Sequence, residues 1–426
     1  MSLTESDGSE LSGKDGLIAP VPRISIQAFC DSPPMVALVA SASEDRRMHK
    51  ASVKTLTGGI AAALSTFRQE QTPNVILLEA GADNAAFLAG LDALAEFCDD
   101  GTRVVVLGQA NDINFYRALI SRGVSEYLVA PIDVLGVVRA ISGLYATPGK
   151  GTLGRIIAVY GAKGGVGASV VAHHIAWSIS NSLGMASVIA DLDLAFGTAA
   201  LDFNLDPQQG IAEAVYAPDR LDSNMLDRLM SKCNEHLTLL SAPSTLSKNY
   251  DLDEFSFEGV IDLLRGSAPI VVLDVPHAWT AWTRRILLSA DEVVLVASPD
   301  LANLRNVKNL LDVLGPARSN DGKSKLVMNM VGVPKRPEIA VKEFATAVNV
   351  DPTVVIPFEP KLFGTASNNG QMVAQVSGAA KLARLFDHLG RVVAAKPDLS
   401  KGKSGSLIDG LKSTKLSFGF GKKFDP

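Results

Sequence analysis

The chain has 426 residues and a formal net charge of −5, with 47% hydrophobic and 20% charged residues. This length predicts two or three globular domains, and the acidic balance argues against a protein that binds DNA through its bulk charge. No apolar run of the sequence is long enough to span a bilayer.

The opening residues and the cysteines indicate the cellular compartment of the protein. The opening stretch, MSLTESDGSELSGKDG, lacks a basic segment followed by an apolar one, so we expect no secretion signal. The cysteines Cys30, Cys98 and Cys233 are widely separated and give neither a metal-binding spacing nor a disulfide framework. The sequence therefore predicts a cytoplasmic protein.

The first part of the chain predicts a disordered segment and then an α/β domain. Residues 1–34 are rich in Ser, Gly, Asp and Pro, which favours disorder. An apolar strand is predicted at 35–41 and a helix over about 48–70. Further predicted strands are 74–80, 103–109 and 126–131, and further predicted helices are 85–98, 113–122 and 133–145. This alternation indicates a parallel sheet covered on both faces, so residues 35–145 are predicted to form one domain.

A linker with Gly and Pro is predicted at 146–154, and a second, larger α/β domain at 155–396. The predicted strands of this domain are 155–161, 186–191, 237–241, 270–274, 292–297, 326–331 and 353–356. Residues 397–426 are rich in Gly, Ser and Lys and are predicted to form a flexible tail. A weak contact of this tail with an anionic membrane is the alternative that its lysines and phenylalanines leave open.

A glycine-rich turn lies at the start of the second domain, in the stretch YGAKGGVGASVVA at 160–172. A strand, a glycine turn and a helix are the context of a phosphate site, because turn amides and the helix N-terminus both attract anions. The predicted cradle consists of Gly164, Gly165, Val166, Gly167, Ala168, Ser169 and Val170. The hydroxyl of Ser169 is predicted to face Mg²⁺. An ordinary glycine turn without a ligand is the alternative.

The usual phosphate loop carries a lysine where this chain has Ala168. Lys163 instead precedes the two glycines, and this arrangement resembles the deviant phosphate loop of the ParA/MinD group of ATPases. The resemblance implies that Lys163 reaches across a dimer to the nucleotide of the partner. We expect the absent lysine to weaken hydrolysis more than ATP binding, because charge grows on the phosphate oxygens in the transition state.

Three carboxylates follow predicted strands of the same domain. Asp191 and Asp193 stand at the end of one strand and Asp274 at the end of another. The carboxyl ends of parallel strands border the crevice where ligands bind. Asp193 is therefore the candidate to orient the attacking water, and Asp191 and Asp274 are candidates to hold Mg²⁺. Local capping of turns is the alternative role for these residues.

The last motifs point to a nucleotide base and to a family. In the ParA/MinD group an asparagine at the place of Asn329 recognises adenine, and the segment around Pro357 resembles the loop that packs on the base. The segments KGGVGAS, DLDLAFGTAALDF, VLDVPHAWTAWTRRILLSADEVVLVASPDLANLRN and IPFEP resemble the CpaE/TadZ family of ParA/MinD-type ATPases, from the tight-adherence (Flp) pilus system. The resemblance covers about residues 35–395.

This resemblance implies a receiver-like (flavodoxin-like) N-terminal domain and a larger P-loop NTPase domain with a mostly parallel sheet. It also implies ATP and Mg²⁺ as cofactors and a homodimer at the cell pole, peripheral to the inner membrane. The implied partners are a pilus secretion motor ATPase and the membrane platform proteins of the Tad system. Weak ATPase activity is expected. A ParA-like DNA-partitioning ATPase and a pseudo-ATPase scaffold that binds no nucleotide are the alternatives.

The N-terminal domain lacks the residues of phosphorelay chemistry. The places of the acceptor Asp, the Ser/Thr and the Lys of a receiver are held by Glu79, Gly108 and Ala130. We therefore expect a docking or dimer surface here. Glu79 is interpreted as a solvated strand end, with mimicry of a charged receiver as the alternative.

Two further groups are left with structural or partner roles. His173 and His174 are expected to be core or helix-surface residues, because no carboxylate or cysteine partner is evident for a metal site. Trp279 and Trp282, with Arg284 and Arg285, are expected to form either a partner surface or a packed helix.

Overall fold

The structure, a computed structural model, describes residues 17–145, 153–246 and 249–395. Within these ranges the chain forms two α/β units, one on a sheet of five strands and one on a sheet of eight. No helix of the described ranges is long and apolar enough to cross a membrane. The α/β class predicted from the sequence is confirmed.

The N-terminal unit has a flavodoxin-like strand order. Its strands are β1 Ser25–Cys30, β2 Ser52–Thr57, β3 Val75–Glu79, β4 Arg103–Gly108 and β5 Glu126–Val129. Its helices are α1 Pro33–Ser43, α2 Gly59–Phe67, α3 Asn84–Ala95, α4 Ile113–Ile120 and α5 Val134–Leu144. The strands pair in parallel in the order β2-β1-β3-β4-β5, which is the flavodoxin-like order. Likeness to receivers beyond this topology stays a prediction.

The beginning of this unit differs from the sequence prediction. The stretch 35–41, predicted as a strand, lies within α1, which starts on prolines in its first turn. The first strand is β1, inside the segment predicted to be disordered, and Ile18, Val21 and Ile24 before it are buried in the core. Composition misled here because three well-placed apolar side chains anchor a segment otherwise rich in Ser and Pro. Residues 1–16 and the tail 397–426 lie outside the described residues, as does most of the predicted linker.

The predicted helix over 48–70 is also wrong in its first half. β2 occupies Ser52–Thr57, and α2 begins only at Gly59. Gly58 and Gly59 have φ of 106° and 49°, a left-handed turn that glycine adopts without strain and that separates the strand from the helix.

Glu79 ends β3 and is not the solvated strand end that we expected. Its carboxylate accepts hydrogen bonds from the amides of Asp31 and Ser32, at 2.7 and 2.9 Å, and from the Ser32 hydroxyl at 2.6 Å. At the end of β4, a Cβ on Gly108 would lie 2.6 Å from the hydroxyl oxygen of Tyr127. Glu79 therefore fastens the β1–α1 loop, and the position of Gly108 has no room for the hydroxyl side chain of a receiver.

The second unit is a mostly parallel sheet, as predicted. Its strands are β6 Arg155–Gly161, β7 Ser187–Asp191, β8 Ser231–Lys232, β9 Leu237–Leu240, β10 Ile270–Val275, β11 Glu292–Ala297, β12 Lys325–Val331 and β13 Pro352–Pro357. They lie in the order β13-β12-β11-β6-β10-β7-β9-β8, and β8 pairs antiparallel with β9. The two-residue strand β8 carries no sequence pattern and was not predicted.

Helices cover both faces of this sheet. They are α6 Ala168–Asn181, α7 Ala199–Asp202, α8 Ile211–Tyr216, α9 Ser223–Leu229, α10 Glu258–Ser267, α11 Ala281–Ser289, α12 Leu301–Ala317, α13 Val341–Val348, α14 Pro360–Asn368 and α15 Ala380–Val393. Alternate residues of β6 enter different cores: Ile156 and Tyr160 pack on one face, Ile157 and Val159 on the other. Burial on both faces explains the nearly continuous apolar strands. β6 lies between β10 and β11, so the glycine turn leaves from the middle of the sheet.

A buried network of charges joins the two units. Arg46, in a single 3-10 turn at Arg46–Met48, donates from Nε to Oδ2 of Asp321 at 2.5 Å and from Nη2 to Oδ1 of Asp291 at 3.1 Å. Its Nη1 donates to the carbonyl oxygen of Ser289, the last residue of α11, at 2.8 Å. Because an unpaired buried charge is costly, these contacts fix the N-terminal unit against the second unit.

Candidate nucleotide-binding site

The glycine turn forms a loop between β6 and the first turn of α6. Gly165 and Gly167 have φ of 79° and 81°, in the left-handed region that favours glycine. Gly164 and Gly165 are exposed, and Val166 is buried beneath them. The loop thus runs directly into the N-terminus of α6, and the predicted strand, turn and helix are confirmed.

Three side chains from distant elements hold the carbonyl groups of this loop. Nδ1 of His277 donates to the carbonyl oxygen of Gly161, and Nδ2 of Asn306 to that of Ala162, each at 2.8 Å. Nδ2 of Asn329 donates to the carbonyl oxygen of Val166, also at 2.8 Å. With these carbonyl groups bound by the protein, the loop is held in shape before any ligand arrives.

The amide groups of the loop are, by contrast, without partners. In the described part of the chain, the backbone N–H groups of Gly164 and Gly165, and of Gly167 through Val170, have no hydrogen-bond acceptor. Such a run of unpaired donors at a helix N-terminus is the arrangement that binds phosphate. The loop therefore fits the phosphate groups of a nucleotide.

The position of the usual lysine contributes no charge. Ala168, the first residue of α6, is half-buried and packs against the core. The loop's own cation, Lys163, has a side chain that is 51% exposed, with Nζ 3.8 Å from Oδ2 of Asp300. Burial acts to raise the pKa of Asp300, but hydrogen bonds from Asn303 and the charge of Lys163 outweigh it and lower that pKa. Lys163 thus points away from the core and toward the rim of the site.

The structure brings together two of the predicted carboxylates. Asp191 and Asp274 are register partners on the neighbouring strands β7 and β10, and both are buried. Burial, followed by the charge of Asp274, raises the pKa of Asp191 to about 7. The Asp191 oxygens accept from the amides of Asp193 and Ala199, each at 3.1 Å. Asp191 therefore organises the segment after β7, and its contact with a metal stays a prediction.

Asp193 lies at the border of the site. It is half-buried, and its Oδ1 accepts from the amide of Phe196 at 3.0 Å. The turn-capping role that we considered as an alternative is therefore present. Its role in orienting water stays a prediction.

The oxygen donors fit a magnesium ion that is shared with phosphate. Ser169 stands in the first turn of α6, and Asp191 and Asp274 end the adjacent strands. Among the described residues, no group of three or more His, Cys, Asp and Glu side chains is arranged to hold a metal ion by itself. Magnesium suits this setting because it usually binds through one or two carboxylates together with waters and substrate phosphates.

A cavity of about 170 Å³ opens beside the loop and suits a base. It is lined mainly by apolar groups: Gly167, Val170, Asn329, Met330, Pro357, Phe358, Glu359, Pro360 and Phe363. The residues predicted to contact the base, Asn329 and Pro357, are therefore both present. A Cβ on Gly167 would lie 2.7 Å from Nδ2 of Asn329, so this glycine is also required by close packing.

Several site residues were not found from the sequence. His277 and Asn306 reach the loop from 116 and 144 residues away, and such contacts leave no local pattern. His173 and His174 are buried, as one of the expected alternatives has it. The premise that no carboxylate lies near them is wrong for His173, whose neighbours are Asp202 and Asp274.

The tryptophans divide between the two alternatives. Trp282 is buried, with its ring 4.8 Å from that of Phe257, so it belongs to a packed helix. Trp279 is 50% exposed, with its ring 6.4 Å from that of Tyr160, and a partner role for it stays a prediction.

No protein-family model matches the sequence. A crystal structure of the pilus assembly protein CpaE from Caulobacter crescentus CB15 is 44% identical to this chain. That match covers 31% of this chain and 100% of the other, with a TM-score of 0.30.

Two structures that are 22% identical share the fold, each with a TM-score of 0.50. One is a ParA family ATPase from Chlorobium tepidum TLS, matched over 55% of this chain and 98% of that one. The other is the septum site-determining protein MinD from Pyrococcus horikoshii OT3, complexed with Mg-ADP, matched over 59% of this chain and 98% of that one. They show a P-loop NTPase fold of the ParA/MinD type. The 44% identity over the whole of the CpaE structure shows that the chain belongs to the CpaE family of pilus assembly proteins.

Proposed function

We propose that this protein binds ATP with Mg²⁺, dimerises around the nucleotide, and localises the Flp/Tad pilus secretion machinery, at a cell pole and peripheral to the inner membrane. The observation that carries the proposal is the set of unpaired amides of Gly164, Gly165 and Gly167 through Val170, in the same unit as the strand-end carboxylates Asp191 and Asp274. Membership of the CpaE family supports the link to pilus assembly.

Binding without the lysine rests on the backbone. The amides of the loop and the N-terminus of α6 attract phosphate oxygens. The contacts from His277, Asn306 and Asn329 hold the loop in shape before the nucleotide binds. A charge-assisted hydrogen bond contributes roughly 1.5–3 kcal/mol, so the loss of one weakens binding without abolishing it. Ser169 and Asp274 would hold Mg²⁺, which supplies positive charge against the phosphates when bound.

Hydrolysis should be slow. Asp193, at the border of the site, is the residue proposed to orient the water, and Lys163 of a second subunit is proposed to contact the phosphates. Lys163 is exposed and paired only loosely with Asp300, so it is free to reach outward. Stabilisation of the growing charge then depends on dimer formation.

The surface around the loop favours a dimer. Phe196 and Leu301 are each 73% exposed and Trp279 is 50% exposed. They follow β7, β11 and β10, whose carboxyl ends lie on the same edge of the sheet as the loop. Exposed apolar side chains around a ligand site are a mark of a protein interface.

The proposed partners are the secretion motor ATPase and the membrane platform proteins of the Tad system. A candidate contact surface lies on α4, where Ile113, Tyr116 and Ile120 are 64%, 43% and 41% exposed. Their spacing puts them on one side of the helix. This supports the N-terminal unit as a docking or dimer surface.

Calorimetry of the full chain with ATP and Mg²⁺ tests the proposal. Binding of ATP by the wild type should give a heat signal with a finite affinity. Gly165→Val should lose this signal, because valine adopts the φ of 79° at this position only with strain and the loop would lose its shape. Gly184→Val is the matched control, since Gly184 has φ of 61° and open surroundings away from the loop. Absence of binding by the wild type would indicate a pseudo-ATPase scaffold, and a gel shift on nonspecific DNA at physiological salt would favour a partitioning ATPase.

The cellular part of the proposal needs its own experiment. A fluorescent fusion of the wild type should form a focus at a pole, and Gly165→Val should be diffuse while Gly184→Val keeps the focus. A diffuse wild type in cells that assemble pili would contradict the proposed localisation.

A further inference from the structure

His173 is a fully buried imidazole between two carboxylates. It lies in α6, in the second turn after the phosphate loop, and is 0% exposed. Its Nδ1 lies 2.7 Å from Oδ2 of Asp202, and its Nε2 lies 3.5 Å from Oδ2 of Asp274. Within the described ranges, no other basic side chain forms an ion pair with Asp274.

The contacts continue beyond Asp202. The hydroxyl of Ser367, on α14, donates to Oδ1 of Asp202 at 3.1 Å. The same helix begins at Pro360 and carries Phe363, both of which line the candidate base cavity. A continuous path of polar contacts thus runs from α14 through Asp202 and His173 to Asp274.

The neighbouring His174 shows that burial in this helix does not by itself require carboxylates. Its Nδ1 donates to the carbonyl oxygen of Val170 at 2.7 Å, and its Nε2 accepts from the amide of Val373 at 3.0 Å. Burial lowers the pKa of His174 to about 4, so that ring is neutral. His173, by contrast, lies between two carboxylates: Asp202 accepts from its Nδ1, whereas its Nε2 makes no hydrogen bond and faces Oδ2 of Asp274 at 3.5 Å.

We propose that His173 is a positioning residue for the magnesium site: its Nε2 lies 3.5 Å from one oxygen of Asp274, while Asp202 holds the ring through Nδ1 and Ser367 holds Asp202. This inference rests on the proposed binding of ATP with Mg²⁺. Asp274 and Asp191 are buried register partners, and two such carboxylates repel each other. A buried ring fixed against Asp274 restricts the movement of that carboxylate before the metal arrives. Such outer partners of metal ligands commonly change metal affinity by roughly 10–100-fold when mutated.

The test measures the Mg²⁺ concentration that gives half of the full ATP affinity, by titration calorimetry of the full chain. His173→Leu should raise this concentration roughly tenfold. ATP binding in EDTA, which relies on the loop amides, should change less than about twofold, since His173 does not touch the loop. His173→Gln keeps an N–H donor and should show a smaller rise. His174→Leu is the matched control, with the same change of side chain one residue away, and should keep the wild-type Mg²⁺ requirement.

Circular dichroism and thermal melting establish that each variant is folded. A folded His173→Leu with the wild-type Mg²⁺ requirement would overturn the inference. If His173→Leu does not fold, Asp202→Asn takes its place, because it keeps the shape of Asp202 and weakens its hold on Nδ1. A rise in the Mg²⁺ requirement of Asp202→Asn then supports the inference, and an unchanged requirement overturns it. If the wild type itself binds no ATP at any Mg²⁺ concentration, the proposed function fails and this inference fails with it.

Discussion

Nε of Arg46 donates to Oδ2 of Asp321 at 2.5 Å, and this ion pair crosses from the N-terminal unit to the second unit. Both side chains are 6% exposed. The same arginine reaches the end of α11, the helix that follows Asp274 and His277. The N-terminal unit therefore contacts an element that starts at the candidate nucleotide site.

Removing this arginine should destabilise the protein. Arg46→Ala leaves Asp291 and Asp321 with fewer buried partners, and breaking a buried pair costs about 3–5 kcal/mol. Chemical denaturation followed by circular dichroism measures the change in the free energy of unfolding. Arg122→Ala is the control, because its pair with Asp92 is exposed and contributes less than about 1 kcal/mol. An equal decrease in the free energy of unfolding in the two variants would show that the buried network holds the two units together no more strongly than an exposed ion pair would.

His174 should contribute a loss of stability in mild acid. The unfolded side chain titrates near a pKa of about 6.5, whereas the folded pKa is about 4. Between these values the unfolded chain binds a proton that the folded chain does not, so stability decreases as the pH falls. The gap corresponds to about 3 kcal/mol at its full extent.

Unfolding of His174→Leu between pH 7 and pH 4 checks this prediction. On acidification the variant should lose less stability than the wild type, because it lacks the contribution of His174. His236→Leu, at an exposed position, should keep the wild-type slope. The same slope in all three proteins would mean that His174 is not the group responsible.

Restoring the absent lysine should accelerate hydrolysis. Ala168→Lys puts a cation at the position that the usual phosphate loop provides, and a single donor to transition-state charge contributes roughly 100-fold or more to rate. Phosphate release assays give the turnover rate. Ala168→Met has similar length without charge and should not accelerate the reaction. An unchanged rate in Ala168→Lys would mean that the slow step lies elsewhere, such as dimer formation.

The exposed lysine of the loop should matter for the dimer. Lys163→Ala is expected to weaken the nucleotide-dependent dimer roughly tenfold, because the variant loses the proposed charge-assisted contact with the phosphates of the nucleotide bound by the second subunit. Sedimentation with and without ATP and Mg²⁺ measures the dimer. Lys308→Ala carries the same change of charge at an exposed position of α12 and should dimerise normally. An unaltered dimer in Lys163→Ala would exclude the contact in trans.

The second unit was predictable from its sequence because its strands are buried on both faces. The predicted strand 292–297 coincides with β11, and the other predicted strands of this unit lie within two residues of the observed ones. The N-terminal unit was harder: the apolar run at 35–41 is too short to separate a strand from a helix by its periodicity, and Pro33 and Pro34 were not interpreted as a helix start.

The candidate site was predictable only where motifs are local. The glycine turn, Asp191 and Asp274 each stand in a recognisable stretch, and the structure brings them to one edge of the sheet. His277 and His173 were beyond this approach, since their roles arise from contacts between residues far apart in the chain. Periodicity and spacing carry no information about such contacts.

The most direct measurement is a crystal structure of the full chain grown with saturating ATP and Mg²⁺. Triphosphate oxygens should lie within about 2.7–3.2 Å of the amide nitrogens of the loop from Gly164 to Ser169, with no cation from position 168. An empty loop at saturating ATP, or a triphosphate bound elsewhere, would contradict the proposal that backbone amides hold the nucleotide without the usual lysine.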